Sequence, residues 1–397
     1  MNRRHFLTTT AAAGFAYSAF PSRALESLPK LRIGIIGHTG RGDYGHGLDV
    51  MWLKVPESEI VAVADADAAG LAKALKKLKV DNGFADYREM LAKAKPDIVV
   101  VGPRHIDQHR DMALAAIEAG ARGIYTEKPF CRTPAEADEI IAAADKRKVK
   151  IAVAHRNRYH PALPAVQQLV KNGDIGRVLE IRCRGKEDAR GGSLDLWVLG
   201  SHLLNLAVFF GGAPRACTAA VLQDGKPVTK ADIKDGAEGV GPLAGNEVHA
   251  RYEMESGLPV FFDSVANAGD KAAGFGLQLI GTKGIVDLRI DSQPLAQLLP
   301  GSPFLPVAEP RSWTPISSAG AGKPEPIADI KEQTGQHLLP ARDLIAAVRE
   351  DRPPLCSAAD GRLAVEMICA VFESHRLSGQ RVAWPLATRQ NPFSLLA

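Results

Sequence analysis

The chain has 397 residues, of which 46% are hydrophobic and 24% charged, and its formal net charge at pH 7 is +4. This length favours two domains over one, and the small, dispersed charge argues against a nucleic-acid partner. The cysteines are odd in number and lack Cys-x-x-Cys spacing, which argues against a disulfide framework and a structural zinc site. We expect most of them to be buried as small hydrophobic residues: Cys131, Cys183, Cys217, Cys356 and Cys369.

The N-terminus has the features of an export signal. Arg3 and Arg4 precede Phe6, an uncharged Ala/Thr-rich run follows to about Phe20, and small residues near Ala24 offer a cleavage site. Paired arginines before Phe-Leu resemble the twin-arginine signal. We assign residues 1–29 to this signal and a linker, and we expect a periplasmic or otherwise exported protein; an N-terminal helix that stays attached is the alternative. We expect no membrane span, because no downstream segment approaches about 20 consecutive apolar residues.

Residues 30–155 alternate between predicted strands and helices. Short apolar runs rich in β-branched residues indicate buried strands, and segments of good helix formers with helical spacing lie between them. This alternation predicts a parallel sheet with crossover helices, the architecture of a Rossmann domain. The predicted strands are Leu31–Ile36, Glu59–Ala64, Asp97–Val101, Gly123–Thr126 and Lys150–Ala154, and the predicted helices are Ala68–Lys79, Tyr87–Ala94, Gln108–Ala119 and Pro134–Lys146.

The pattern changes in residues 156–397. Several predicted strands follow one another without long helices between them, which indicates a large, mostly antiparallel sheet with one exposed or partner-covered face. A segment rich in Pro, Gly and Ser, Pro300–Pro326, is predicted to be an ordered loop. The predicted strands are Val178–Arg184, Ala216–Leu222, Glu247–Glu255, Val260–Val265, Leu277–Ile280 and Val286–Ile290, and the predicted helices are Pro164–Asn172, Leu194–Phe210, His337–Arg349 and Ala364–Leu377. The fold class is therefore α/β in two domains.

A glycine-rich turn, Gly37-His38-Thr39-Gly40-Arg41-Gly42, directly follows the first strand. Such turns bring backbone N–H groups to a pyrophosphate at a helix N-terminus, although Thr39 stands where the second glycine of Gly-x-Gly-x-x-Gly is expected. Asp65 ends the second strand, where a carboxylate can accept hydrogen bonds from ribose hydroxyls and repel a 2′-phosphate. These features favour NAD over NADP. A glycine turn without ligand, a solvated Asp65 and the competing acid Asp67 are the alternatives.

A further motif, Glu127-Lys128-Pro129, ends a strand and opens a loop. Together with the turn and Asp65, it resembles the glucose–fructose oxidoreductase / inositol dehydrogenase / MocA family, and the resemblance extends over nearly the whole chain after the signal. The other motifs that carry it are Ile33–Gly37, Pro103, Glu118-Ala119-Gly120, Arg158-Tyr159-His160-Pro161, Gly200-Ser201-His202, Gly281-Thr282-Lys283-Gly284 and the stretch from Pro353 to Pro385.

The resemblance implies a Rossmann domain followed by an α/β domain whose large open sheet serves oligomer contacts, so we expect a homo-oligomer. It implies NAD(P)-dependent hydride transfer at a secondary hydroxyl of a sugar, glycoside or cyclitol. Lys128 matches the family's catalytic lysine, followed by a commonly cis proline, and His202 matches its catalytic histidine. An ammonium can stabilise negative charge on the reacting oxygen, and a histidine suits proton transfer. Pro103, Glu127 and Lys128 are expected at the cofactor.

The chain departs from the family near His202. The acids that the family usually places four residues before and three residues after this histidine are replaced by Val198 and Asn205. Asp195 lies seven residues before His202, close to two helical turns, so the two could share a helix face. Asp195 either replaces the missing acid or caps the N-terminus of the helix.

Two further segments are candidates for substrate binding. His155, Arg158 and Tyr159 follow the last Rossmann strand and should face the cleft, unless they serve the domain interface. Glu187 and Asp188 lie in a charged, glycine-rich stretch that lines a polar pocket, coordinates a metal or is a solvated turn; we assign no metal. We also expect one residue of the set after the fourth strand to touch cofactor or substrate: Arg104, His105, Asp107 and His109.

Three functional hypotheses follow. The first is an exported dehydrogenase in which NAD accepts hydride while His202 and Lys128 manage the proton. The second is a redox-neutral reaction, glycoside cleavage or sugar–sugar oxidoreduction, on NAD that stays bound. The third is a binding protein without turnover, suggested by Val198 at the position of an acid. The sugar, the carbon oxidised and the direction of reaction are left open.

Overall fold

The computed structural model describes residues 29–270 and 274–396. The predicted export signal lies almost wholly in residues 1–28, outside the described residues. The structure contains two large sheets, one built from the first part of the described chain and one from the second.

The first sheet is a six-stranded parallel sheet in the order β3-β2-β1-β4-β5-β6. The predicted Rossmann architecture is therefore confirmed. The reversal of strand order between β1 and β4 leaves a crevice at their carboxyl ends, where ligands bind in such sheets. The strands are β1 (Leu31–Ile36), β2 (Ser58–Ala64), β3 (Gly83–Phe84), β4 (Ile98–Val101), β5 (Gly123–Thr126) and β6 (Lys150–Val153), and the helices are α1 (Ala68–Leu78), α2 (Tyr87–Ala94), α3 (His109–Glu118) and α4 (Pro134–Arg147).

Local sequence explains these elements. β4 has the sequence Ile-Val-Val-Val and is buried throughout, as expected for a strand covered on both faces. Asp67 caps α1 by accepting a hydrogen bond from the backbone of Gly70, and Thr133 caps α4, which has Pro134 in its first turn. Side-chain caps of this kind satisfy N–H groups that a helix N-terminus leaves free.

The first crossover differs from the prediction. No α-helix follows the glycine-rich turn within the described residues; an irregular loop continues to Asp49, and only a 3₁₀ turn, Val50–Lys54, precedes β2. Asp43, Tyr44 and His46 all have positive φ angles, between 49° and 64°. This left-handed backbone is incompatible with a helix. The expected pyrophosphate site at a helix N-terminus is therefore replaced by a loop.

The second sheet is large and mostly antiparallel, as predicted. Its order is β18-β17-β16-β15-β14-β7-β13-β12-β8-β19, β9 pairs with β8, and β7 and β13 are parallel to each other. Its strands are β7 (Val178–Arg184), β8 (Pro214–Gln223), β9 (Lys226–Pro227), β12 (Glu247–Met254), β13 (Pro259–Val265), β14 (Gly276–Gly281), β15 (Gly284–Arg289), β16 (Ala296–Pro300), β17 (Thr314–Ser317), β18 (Gly320–Ala321) and β19 (Val382–Ala383). A separate hairpin consists of β10 (Lys234–Gly236) and β11 (Gly241–Leu243).

The helices of the second part are α5 (Ala162–Asn172), α6 (Ser193–Gly211), α7 (Ile330–Gly335), α8 (Leu338–Glu350) and α9 (Ala358–Arg376). The large sheet buries one face against α6 and α9, while along β12 His249 and Arg251 face outward between buried neighbours. α8 belongs to the predicted C-terminal segment, yet it packs on the six-stranded sheet through residues such as Leu344 and Val348. A helix of the C-terminal part therefore covers part of the six-stranded sheet.

Two predictions need correction here, and a third holds. The segment 300–326 is not wholly a loop, because β17 and β18 lie within it and pair with each other. α6 is long and apolar enough, by length and composition, to cross a membrane, contrary to our expectation for the segments after the signal. However, 72% of its apolar window is buried inside the protein, so α6 is a core helix. The cysteine prediction holds in the described chain: all five are free and buried.

Candidate active site

Lys128, His155 and His202 come together at the carboxyl ends of β5 and β6. Lys128 follows β5 and forms a cis peptide bond with Pro129, as the family resemblance implies. Its Nζ donates a hydrogen bond to the carbonyl oxygen of Val198, at 2.9 Å. Val198 belongs to a π-helical turn, Leu196–Gly200, within α6. The position that usually holds an acid therefore contributes a backbone carbonyl to the lysine.

His155 and His202 form a contact between two buried rings. Their Nδ1 atoms are 3.4 Å apart, and the rings meet edge to face with centroids 5.2 Å apart. His155 is 2% exposed and His202 is 7% exposed. Because an Nδ1–Nδ1 hydrogen bond needs one donor and one acceptor, the tautomers of the two rings are coupled.

Burial keeps both histidines neutral. Desolvation, followed by the charges of Lys128 and Arg158, lowers the pKa of His155 to about 3. The pKa of His202 also lies well below 6.5, through desolvation first and then the charge of Lys128. Both effects disfavour an imidazolium. At neutral pH each ring therefore retains one unprotonated nitrogen, which a proton acceptor requires.

Two further histidines that sequence reasoning missed lie around Lys128. The Nδ1 of His337 is 2.6 Å from the phenolic oxygen of Tyr125, and desolvation lowers the pKa of His337 to about 3, with smaller contributions from Arg156, His46 and Lys128. His46 Nε2 lies 3.6 Å from Glu127 Oε1. His337 precedes α8 and His46 lies in the irregular loop, so neither position carried a sequence signal for the site.

The phosphate turn fits a dinucleotide. Gly40 and Gly47 have positive φ angles of 86° and 90° and open space at the position of a Cβ, so a ligand can approach the backbone closely. Arg41 pairs with Asp107, and the Nε atoms of Arg41 and Arg104 are buried without a hydrogen-bond partner in the described chain. Exposed glycine backbone and the partly exposed guanidinium groups of Arg41 and Arg104 are the kinds of group that a pyrophosphate needs.

The structure places the other turn residues as follows. Asp65 ends β2 as predicted but is 1% exposed. Its carboxylate accepts hydrogen bonds from the backbone N–H of Thr39, at 3.1 Å, from the Thr39 hydroxyl, at 2.6 Å, and from the N–H of Asp67. The carboxylate thus closes the turn onto β2. A ribose hydroxyl would share or replace the contacts of Thr39.

The remaining residues of this edge also have defined partners. Gly37 tolerates no side chain, because a Cβ would lie 2.1 Å from the Tyr44 ring, and His38 Nδ1 lies 2.6 Å from Gln108 Oε1. Gly42 packs on Arg104 in the same way. Pro103 and His109 are linked through the Pro103 carbonyl, 2.7 Å from the ring of His109. His109 is therefore a structural residue, whereas Arg104 and His105 remain beside the turn.

The hairpin β10–β11 reaches the same edge from the second part of the chain. Glu238, at its tip, lies 3.7 Å from Arg104 Nε, and its side chain is 11% exposed. A Cβ on Gly239 would lie 2.7 Å from Asp107. The hairpin thus covers the residues that pair with the phosphate turn.

Lys128, His155 and His202 form what we call the histidine centre. The acids of the 185–195 segment form their hydrogen bonds with other residues. Glu187 is 3% exposed, binds Arg184 at 2.7 Å and accepts the backbone N–H of Val265 at 2.8 Å. Asp188 pairs with Arg190 at 2.7 Å. Asp188, with a side chain 35% exposed, fits the solvated turn that we kept open. Glu187 fits none of the three alternatives simply, because it is buried and bound to protein groups.

Asp195 does not pair with His202, contrary to the shared-face hypothesis. Its Oδ2 accepts the N–H of Glu187 at 3.0 Å and the hydroxyl of Ser264 at 2.7 Å. The hypothesis assumed regular α-helical spacing, and the π-helical turn between the two residues changes their relative orientation. Asp195 makes no side-chain cap either, since the residue at the N-cap is Gly192.

Arg158 and Tyr159 contact the C-terminal part. The Tyr159 hydroxyl accepts the N–H of Cys356 at 3.1 Å. The Arg158 guanidinium stacks on Phe209 with its carbon 4.3 Å from the ring centre, and it lies 3.8 Å from Asp360. The interface role that we kept open therefore describes both residues. Of the predicted substrate residues, only His155 lies in the histidine centre. In the described ranges no group of three His, Cys, Asp or Glu side chains is arranged to hold a metal.

Comparison with known proteins bears on this site. Residues 31–155 match the family model GFO_IDH_MocA, described as an oxidoreductase family with an NAD-binding Rossmann fold. The N-terminal domain is therefore similar to the NAD-binding Rossmann domain of this family. Its cofactor is accordingly NAD.

Several curated relatives of the chain are named dehydrogenases. D-apiose dehydrogenase of Paraburkholderia graminis is 28% identical over 192 residues, 46% of this chain and 51% of the relative. Levoglucosan dehydrogenase of Pseudarthrobacter phenanthrenivorans is 25% identical over 259 residues, 58% of this chain and 65% of the relative. The chain thus spans about half to two thirds of the length of these relatives.

Solved structures extend the likeness in fold to both parts of the chain. A levoglucosan dehydrogenase in complex with NADH and levoglucosan superposes with a TM-score of 0.70 at 20% identity, covering 90% of this chain and 99% of the other. At this identity the similarity establishes a shared fold over both parts of the chain.

Proposed function

We propose that the protein is an NAD-dependent dehydrogenase of a secondary hydroxyl in a sugar, glycoside or cyclitol. The observation that carries the proposal is the meeting of Lys128, His155 and His202 at the carboxyl ends of β5 and β6, beside an NAD-binding turn. The dehydrogenase names of the curated relatives support the reaction class.

The side chains have complementary roles in this proposal. NAD, when bound, supplies the hydride acceptor. The Lys128 ammonium, held by the Val198 carbonyl, donates a hydrogen bond to the substrate hydroxyl and stabilises negative charge as its proton leaves. His202, neutral because it is buried, accepts that proton. The low exposure of His155 and His202 keeps bulk water from the proton being transferred.

The proposal is tested by screening purified protein with NAD against sugars, anhydrosugars and cyclitols while recording NADH absorbance. We expect turnover with at least one polyol and a loss of about 10²- to 10³-fold in kcat on Lys128→Met. Lys148→Met, a lysine at the end of α4 and remote from the site, is the matched control. Silence across the panel, with NAD binding demonstrated, contradicts the dehydrogenase proposal.

We propose as the second candidate a redox-neutral reaction on retained NAD. The contacts of Glu238 and Gly239 with Arg104 and Asp107 favour it, because they enclose the turn from the other part of the chain. In this case NAD remains with the protein through gel filtration, and substrate is converted without net NADH. Rapid loss of NAD on dilution argues for the exchangeable dehydrogenase instead.

We propose export through the twin-arginine route on the strength of Arg3, Arg4 and the following uncharged run. Replacing both arginines by lysine should leave the protein in the cytoplasm of a producing cell, and unchanged export contradicts the proposal.

We also propose self-association through the outward face of the large sheet, as the family resemblance implies. Light scattering should show a dimer or tetramer, and a monomer at micromolar concentration overturns it.

A further inference from the structure

His202 lacks the acidic neighbour that the family pattern supplies. Val198 uses its carbonyl for Lys128, and the side-chain amide of Asn205 is directed to Cys356, 3.6 Å from the sulfur. Asp195 is engaged with Glu187 and Ser264. Within the described ranges, the side chain in hydrogen-bonding contact with the His202 ring is His155.

Hydrogen counting couples the two rings. Two neutral imidazoles carry two N–H hydrogens, and the contact between the Nδ1 atoms uses one of them. The other sits on the Nε2 of whichever ring accepts. When His155 accepts, His202 has a bare Nε2 and is a proton acceptor; when His202 accepts, its Nε2 carries hydrogen and is a donor. The two states differ in the positions of both hydrogens, so the tautomer of His155 determines whether His202 Nε2 accepts or donates a proton.

The surroundings of the pair leave both tautomeric states accessible. His155 Nε2 is buried without a hydrogen-bond partner among the described residues, so no protein acceptor locks the pair in one state. The charged or titratable groups that act on the two rings are basic: Lys128 after β5, Arg156 and Arg158 after β6, and His337 before α8. These charges oppose a lasting imidazolium on either ring.

We infer that His155 is the positioning partner of His202, taking the place of the missing acid; this inference rests on the proposed dehydrogenase function. As the substrate hydroxyl breaks its O–H bond, the proton binds His202 Nε2, while the Nδ1–H of His202 stays hydrogen-bonded to His155 Nδ1, which orients the ring and shares the added positive charge. The electron pair of the substrate C–H bond leaves as the hydride of the proposed reaction. In the reverse direction the same proton returns.

Substitution of His155 tests the inference. His155→Phe fills the space without a nitrogen, and we expect kcat to fall about 10- to 100-fold, with the acid limb of its pH profile displaced and the NAD dissociation constant unchanged. His155→Gln, whose amide can accept from His202 Nδ1, should restore part of kcat. His160→Gln is the matched control, because His160 is buried in the same segment and binds Gln293 and the N–H of Ala162 instead. Unchanged kcat and pH profile in His155→Phe overturn the inference.

A second measurement separates this inference from the proposed function. ¹⁵N NMR of the histidine rings in the full chain reports which nitrogen carries hydrogen, whether or not a substrate is known. We expect the His202 Nδ1 signal to change in His155→Phe and to remain unchanged in His160→Gln. An unaltered His202 signal contradicts the pair itself. A coupled pair in a protein that oxidises no polyol would instead refute only the dehydrogenase function.

Discussion

The histidine centre and the acidic segment before α6 both contain buried polar side chains and both contact residues of α6, yet their hydrogen bonds differ. Around His155 and His202, a ring nitrogen lacks a protein partner, and Lys128 is held by one carbonyl. Around Glu187, the carboxylate binds a backbone N–H and an arginine of the adjoining strand β7.

This difference in hydrogen bonding helps to distinguish a candidate functional site from a cluster with a structural role. A buried polar group that is fully satisfied by the protein stabilises one fold, whereas one that lacks a partner costs stability and is retained where a ligand uses it. Charge density alone would have selected the acidic segment, since Lys186 to Arg190 is the more charged sequence. The meeting of Lys128, His155 and His202 favours the histidines. An unpartnered buried atom alone would not, because Asp195 Oδ1 also lacks a hydrogen-bond partner among the described residues.

Acid should affect the histidine centre most strongly. The pKa values of His155 and His337 are lowered to about 3, whereas unfolded histidine titrates near 6.5. Below pH 6.5 the unfolded chain therefore binds protons that the native chain does not, and each such histidine removes up to about 1.4 kcal/mol of stability per pH unit. We expect the urea midpoint to fall steeply from pH 6.5 towards pH 4. In His337→Gln the slope should be shallower; an equal slope contradicts burial of a neutral ring.

The next largest effect is expected in the acidic segment, where a substitution of Glu187 should change stability but not activity. Glu187→Ala leaves the buried N–H of Val265 without its acceptor, and we expect a loss of about 1–3 kcal/mol in the free energy of unfolding. Activity per folded molecule should stay unchanged, because Glu187 lies outside the histidine centre. Glu187→Gln, which keeps an acceptor oxygen, should lose less. A raised KM without lost stability would restore our original assignment of Glu187 to substrate binding.

Sequence reasoning predicted the features that depend on local sequence and missed those that depend on contacts between residues distant in the chain. The strands of the Rossmann sheet were predictable because each is a short apolar run between breakers, and Lys128 and His202 because they stand in recognisable motifs. The contact of His155 with His202 joins residues 47 positions apart and leaves no local pattern. The π-helical turn invalidated a spacing argument for Asp195 that assumed 3.6 residues per turn. The glycine turn after β1 was predicted, but the expected helix N-terminus beside it was wrong, because non-glycine residues such as Tyr44 adopt positive φ there.

The smallest predicted effect is at Asp195, whose contribution to stability depends on pH in the opposite sense to that of the buried histidines. Desolvation raises the pKa of this carboxyl above its ordinary 3.8, against the hydrogen bonds from Glu187 and Ser264. The native chain therefore holds this proton more tightly than the unfolded chain, so the cost of the charged carboxylate is present above the native pKa and disappears as pH falls towards 3.8. Asp195→Asn keeps an acceptor oxygen and removes the charge.

We expect Asp195→Asn to change stability by less than about 1 kcal/mol, with the balance most favourable to the variant at neutral pH and declining in acid. Urea unfolding of both proteins at several pH values measures it, and kcat should be unchanged because the carboxylate does not meet His202. A large loss of kcat with a shifted pH profile would mean that Asp195 acts on His202 after all, and the distinction between the two buried regions would fail at the one residue that joins them through α6.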